Sequence, residues 1–168
     1  MTGTSYSPRM TPYFVSAGVA IAVAIIGGLA TDVGPWYRQL RKPWWNPPDW
    51  LFGPAWTLIY ALCAYAAGKA WLTLEGADRF FLVLGPFLLN AFLNALWSVV
   101  FFATKRPDLA LLEVGALWLS TALLCWSMLL EAPAAGLALV PYLLWVTFAG
   151  ALNAKIVQLN GYLKRPAR

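Results

Sequence analysis

Five long stretches of the chain are apolar at nearly every position, and short polar breaks separate them. A hydrocarbon core about 30 Å thick is crossed by roughly 20 residues of helix, so runs of about 17–25 apolar residues predict spanning helices. The runs cover residues 13–30, about 51–74, 80–103, 109–130 and 134 to about 157. Thr31 and Asp32 close the first, Lys69 lies near enough to the end of the second to snorkel, and the third stops at Thr104, Lys105, Arg106 and Pro107. Apart from one longer break, the connections are a few residues long, which forces successive helices to lie antiparallel and side by side. The pattern predicts an all-α integral membrane protein: a bundle of five transmembrane helices forming a single domain over residues 1–168, with a long structured loop at 31–50.

Composition supports that reading. Hydrophobic residues make up 61% of the chain and charged ones 11%, against about 45–50% and about 25% in ordinary proteins. So few charges cannot cover a water-soluble globule of this size, and lipid is the expected solvent. Histidine is absent, which removes imidazole acid–base chemistry, imidazole metal ligation and a histidine pH switch. No metal site and no cofactor is expected. Cys63 and Cys125 fall inside apolar runs, where free cysteine behaves as a small hydrophobe. The net charge of +5 does not point to nucleic acid, because the basic residues sit between apolar segments and form no folded basic face. The first run is preceded by one charge, Arg9, and lacks a clear small-residue cleavage site, so it reads as a permanent span.

Charge distribution sets an orientation. Arg38, Arg41, Lys42, Lys105, Arg106, Lys155, Lys164, Arg165 and Arg168 share one side of a five-span protein, and Arg9, Lys69 and Arg79 share the other. In a membrane obeying the positive-inside rule the N-terminus is then outside and the C-terminus cytoplasmic. The acidic residues fall in loops or at span ends except Glu113, about 6 Å into the fourth run at 1.5 Å per residue. Glu113 is expected to snorkel or to pair with Arg106 or Arg41. Without midplane charges or an internal repeat, an ion-coupled carrier has little to be built from.

The stretch 31–50 reads TDVGPWYRQLRKPWWNPPDW. A disordered linker is poor in aromatics, whereas this one holds Trp36, Tyr37, Trp44, Trp45 and Trp50, stiffened by Pro35, Pro43, Pro47 and Pro48. An interfacial aromatic belt explains single tryptophans but does not need four prolines. The segment is expected to fold back as a lid over the mouth of the bundle.

Helical spacing groups the polar and aromatic residues within the spans. Trp56, Tyr60, Cys63 and Ala67 share a face of the second, Asn90, Asn94, Trp97 and Phe101 one of the third, and Tyr142, Trp145, Ala149 and Asn153 one of the fifth. Together they enclose a mostly apolar pocket suited to a flat, largely apolar ligand. Asn90 and Asn153 also fit interhelical hydrogen bonds, typically worth about 0.6–2 kcal/mol in a membrane, and Asn94 fits both roles. Trp118 and Trp126 are expected in core or lipid contact, and Pro86 and Pro141 as kinks. Near the end, Leu159, Tyr162 and Lys164 match the loose pattern proposed for cholesterol contact, which an interfacial tyrosine with snorkelling cations explains equally.

Three segments, WYRQLRKPWWNPPDWLFGPAWTLIY, LNALWSVVFFATKRP and PYLLWVTFAGALN, resemble the translocator protein family, also called tryptophan-rich sensory protein or peripheral-type benzodiazepine receptor, in order and spacing. The resemblance runs from about Trp36 to Asn153 and implies a five-helix membrane protein that binds porphyrins such as protoporphyrin IX, sterol-like molecules or benzodiazepine-site ligands among its helices under the first loop. It implies ligand contact for Trp36, Trp45, Pro47 and Pro48 of the loop and for Asn94, Trp97 and Ala149. Trp56 and Trp145 match tryptophans implicated in porphyrin binding and, in some bacterial members, in light- and oxygen-dependent porphyrin breakdown. Tyr60 and Tyr142 join the binding set from the faces above. A homodimer is also implied, but Gly85 is followed four positions later by Leu89, so the close crossing of a GxxxG motif is not assured. The expected function is a porphyrin-binding receptor or sensor linked to tetrapyrrole or stress responses. Photo-oxidative porphyrin degradation, with Trp56 and Trp145 as the catalytic candidates, and facilitated porphyrin or sterol transport are the alternatives.

Overall fold

The computed structural model of the protein describes residues 9–162. Its helices are α1 (Thr11–Ala30), α2 (Pro35–Gln39), α3 (Asp49–Thr73), α4 (Arg79–Ala103), α5 (Pro107–Glu131) and α6 (Pro133–Leu159). All except the short α2 are long and apolar enough to cross a membrane, with mean hydropathy of 1.3–2.1 over an 18-residue stretch of each. They are the five expected spans, and several begin earlier than the apolar runs because proline opens them. Pro107 and Pro133 are the first residues of α5 and α6, and Pro12 is the second of α1. The first turn has no use for the missing N–H, and the fixed φ already suits a helix.

The long helices close a ring in the order α1, α3, α6, α5, α4 and back to α1. The core is densest between α5 and α6, where Met128, Leu139, Val146, Ile156 and Val157 are almost wholly buried. Gly136 permits that approach: a Cβ there would overlap the Leu129 backbone. The outer surface is apolar, with Leu29 83%, Phe81 76% and Leu112 75% exposed. Such a surface would aggregate in water and is at home in hydrocarbon.

α4 is α-helical only in its middle. Its first turns, Arg79–Leu84, and its last, Val99–Ala103, are π-helical. The first change of pitch falls at Gly85 and Pro86. Pro86 has no N–H to return to the carbonyl four residues earlier, and the widened turns end just before it. The second ends on Lys105 in the left-handed region (φ 56°), where the chain turns into α5.

Segment 31–50 is ordered around α2. The Asp32 carboxylate accepts the Gly34 N–H at 2.8 Å, Pro35 opens the helix, and Tyr37 is buried against Phe102 with ring centroids 5.5 Å apart. Asn160, just past α6, binds the same segment from a distant part of the chain. Its Oδ1 accepts the Arg41 N–H at 3.0 Å and its Nδ2 donates to the Arg41 carbonyl at 2.9 Å, as a neighbouring β-strand would. Trp44 and Trp50 are 96% and 71% exposed, so these two do not face the bundle.

One expected pairing is not made. Arg106 forks onto Asp108, with Nη2–Oδ2 at 2.6 Å and Nε–Oδ1 at 2.9 Å, and so does not reach Glu113. Asp108 in the first turn of α5 satisfies the guanidinium locally. Glu113 is not paired with Arg41 either: both of its carboxylate oxygens are buried without a hydrogen-bond partner among the described residues. Trp126 is 65% exposed to lipid, while Trp118 donates to Thr147 Oγ1 at 2.8 Å on α6. Of the cholesterol-like pattern, Lys164 lies outside the described residues.

Candidate functional site

Three spans meet at one polar junction. The Tyr60 hydroxyl of α3 donates to Asn94 Oδ1 of α4 at 2.8 Å, and Asn94 Nδ2 donates to the Tyr142 hydroxyl of α6 at 3.1 Å. Asn94 and Tyr142 are buried, so each bond replaces a polar group that would otherwise stand unpaired in an apolar interior.

Toward the 31–50 side, aromatic rings build on this junction. Trp56 stacks on Tyr60 at 5.3 Å and meets Tyr142 and Trp145 edge-on, each at 6.3 Å. Trp145 in turn contacts Phe52 at 5.9 Å and Phe148 at 5.7 Å, and Trp45 of the covering segment meets Phe148 at 5.7 Å. Separations of 4.5–7 Å with tilted or edge contacts are the favoured aromatic geometry, worth about 0.5–1.5 kcal/mol per pair beyond area burial. Elsewhere at this end of the bundle, Trp36 meets Phe101 at 6.0 Å and Phe101 stacks on Trp97 at 5.1 Å. Trp97 Nε1 donates to Asn153 Oδ1 at 3.3 Å, and Asn153 Nδ2 donates to the Pro107 carbonyl at 2.8 Å.

Tyr60, Asn94 and Tyr142 are thus joined by hydrogen bonds, and Trp56 and Trp145 by ring contact with them. Trp45 reaches that group through Phe148, next to half-buried Ala149, while Trp36 and Trp97 meet through Phe101 in a neighbouring cluster. Pro47 is half-buried, and exposed Pro48 precedes the first residue of α3. Phe52 and Phe148 were not among the expected residues, although their spacing from Trp56 (i, i+4) and from Trp145 (i, i+3) is a readable sign of a shared face. Asn160 had no comparable signal.

The covering segment is basic and partly desolvated. Lys42 Nζ lies 3.5 Å from the centroid of the Tyr37 ring, a cation–π contact. Burial pushes the Tyr37 hydroxyl up to about 12, with the Asp49 carboxylate adding to the rise. Burial lowers the Lys42 ammonium, and the Asp49 charge opposes that shift.

Open space lies on the other side of the junction. A cavity of about 310 Å³ runs between α1, α3 and α4 in the half of the bundle away from segment 31–50. Tyr60, Asn94 and Tyr142 line it, while Trp56, Trp97, Trp145 and Ala149 do not. The junction therefore separates a packed aromatic group from an apolar cavity. Among the described residues neither side brings a nucleophile and a base together, and what the aromatic group presents is indole, phenol and phenyl faces.

A model of the TspO/MBR family matches residues 16–159. The chain is 41% identical over 125 residues to the tryptophan-rich sensory protein of Cereibacter sphaeroides, covering 74% of this chain and 77% of that protein. It is 36% identical over 145 residues to the tryptophan-rich protein TspO of Chlorobaculum tepidum, covering 85% and 92%. It is 35% identical over 129 residues to the translocator protein of Bos taurus, covering 74% and 75%. With a matched segment that includes the Tyr60–Asn94–Tyr142 junction and every ring packed on it, the chain belongs to the TspO/MBR family of multi-pass membrane proteins.

Proposed function

We propose that this protein is a membrane receptor that binds porphyrins of the protoporphyrin IX type under segment 31–50, among Trp45, Trp56, Trp97, Trp145 and Ala149. The observation that supports this most is Trp56, whose ring touches Tyr60, Tyr142 and Trp145 at 5.3–6.3 Å on top of a fixed polar junction. A flat macrocycle enters by replacing those ring–ring contacts with stacking on its own faces, and segment 31–50 with Trp36, Pro47 and Pro48 closes behind it. Arg38, Arg41 and Lys42 of the same segment supply positive charge for the carboxylates on the edge of protoporphyrin IX. Metal-free porphyrin should bind as well as haem, because the chain has no histidine to ligate iron.

Quenching of intrinsic tryptophan fluorescence by protoporphyrin IX tests this. Trp56→Phe combined with Trp145→Phe is expected to weaken binding about tenfold, roughly one aromatic stacking contact, and unchanged affinity would remove these residues from the site. The contact of Trp56 with Trp145 favours a second reading, light-dependent porphyrin breakdown in which indole donates an electron to the excited porphyrin and dioxygen is the oxidant. Bleaching of the porphyrin band under light and oxygen in wild type but not in the double variant supports it; equal bleaching in both leaves binding alone. The proposed orientation, N-terminus outside, is read by reporter fusions at the two ends.

A further inference from the structure

We propose that the cavity between α1, α3 and α4 is a lateral lipid site, which takes an uncharged aliphatic chain bearing one hydroxyl group and receives that hydroxyl on Asn90 Oδ1. This site is distinct from the aromatic group, on the opposite side of the Tyr60–Asn94–Tyr142 junction, and does not depend on porphyrin binding.

The position of the mouth decides where a ligand comes from. Val15 and Val19 on α1 and Leu84 and Leu88 on α4 line the cavity and are 38–62% exposed, so the opening lies between two neighbouring spans and faces hydrocarbon. None of the described lining residues is charged, and most are aliphatic or aromatic. An ionised headgroup would find no counter-charge there and would meet the full desolvation penalty. At about 310 Å³ the cavity is at the small end of the range for ligand sites, which suits a flexible chain rather than a macrocycle. Along α1 the lining runs from Thr11 to Val23, about 18 Å at 1.5 Å per residue, a long and narrow path.

The hydroxyl is specified by Asn90, which is 6% exposed and lines the cavity. Its Nδ2 donates to Ser120 Oγ at 2.9 Å and to Thr121 Oγ1 at 2.8 Å. Both hydroxyls already donate to the Leu117 carbonyl, at 2.9 and 2.8 Å, so they can only accept from Asn90. That fixes which way the amide faces. Its carbonyl oxygen receives no hydrogen bond from the described residues and remains as an oriented acceptor. Among the other acceptor-bearing side chains deep in the lining, Ser16 Oγ donates to the Ala64 carbonyl at 2.7 Å, and Asn94 bonds to both Tyr60 and Tyr142. One acceptor in an apolar channel matches one donor on an apolar chain, and an acceptor left unpaired when an apolar chain fills the channel is costly enough to discriminate.

The test uses the full-length protein in lipid nanodiscs with two photoactivatable probes, a diazirine-bearing long-chain alcohol and its methyl ether of equal length. The alcohol is expected to label residues within 15–23 and 84–91 about threefold to tenfold more strongly than the ether. In Asn90→Leu alcohol labelling should fall to the ether level with ether labelling unchanged, since Ser120 and Thr121 keep their bonds to Leu117. Ala20→Phe, which fills the channel from the α1 side and leaves the Asn90 amide in place, should reduce labelling by both probes. Equal labelling by the two probes in wild type overturns the proposal without any variant, as does an alcohol preference that survives Asn90→Leu. Protoporphyrin quenching on the same samples separates this result from the aromatic site, because loss of lipid labelling with normal quenching concerns the cavity only.

Discussion

Single side chains in this protein carry work that composition hides. Asn160 uses both ends of its amide on the backbone of Arg41, and so fixes a loop that no strand supports. Asn160→Ala is expected to free both Arg41 groups to water, costing about 1–3 kcal/mol of local stability. Hydrogen exchange should show faster amides near Arg41 with those of α5 and α6 unchanged; uniform exchange across the chain would mean that the contact does not hold the segment. Tyr37 offers a second reading of the same region. Its hydroxyl is raised by burial, and then by Asp49, to about 12. A raised folded value favours the protonated form, so this stability is fully present below about pH 10 and is lost as pH climbs toward 12. The gap in melting temperature between wild type and Tyr37→Phe should therefore stay constant up to pH 10 and change only above it, in the sense that wild type loses ground.

At the scale of elements, the contrast between Gly136 and Gly115 shows what sets each helix position. A Cβ at Gly136 meets the Leu129 backbone, which has no rotamer to yield, whereas one at Gly115 meets nothing within 4 Å. Gly136→Ala should destabilise the α5–α6 pair by about 1–3 kcal/mol, and Gly115→Ala should be neutral or stabilise by about 0.5–1 kcal/mol through helix propensity. Thermal unfolding in detergent would show whether the two differ; equal effects would place the packing elsewhere. The spans themselves were legible because lipid leaves a backbone no partner but its own helix, which imposes long apolar runs. The π-helical turns of α4 were not, since a change from four to five residues per hydrogen bond leaves little mark on apolarity. Only Pro86 hinted at it. α2 and its Asn160 tie escaped for a different reason: the pairing joins residues 119 apart, and no local pattern encodes it. The aromatic faces were readable from i, i+3 and i, i+4 spacing, whereas the cavity depends on how α1 lies against α3 and α4, and α1 buries only Val23 and Gly27.

For the whole molecule the question is what keeps a ring of five helices from rearranging in lipid, where hydrophobic burial does not favour one helix partner over another. Neighbours in the ring pack pairwise; α4 meets α3 through its first turns and is not a ring neighbour of α6, yet Asn94, midway along α4, bonds to both. The junction is therefore a brace across the interior. If it acts as one, the Tyr60 and Tyr142 bonds support each other, because each holds the amide in the orientation the other needs. Tyr60→Phe and Tyr142→Phe should each cost about 0.5–1.5 kcal/mol. The double variant should lose less than their sum, with a coupling of about 0.5 kcal/mol or more. In an Asn94→Leu background the same cycle should show no coupling, since nothing then links the two hydroxyls. Additive losses in the native background would mean that α3 and α6 are positioned by their own packing and that Asn94 only satisfies two hydroxyls. Coupling that disappears with Asn94 would show that one amide, midway along α4, holds the far sides of the ring in register and fixes the floor on which the aromatic rings stand.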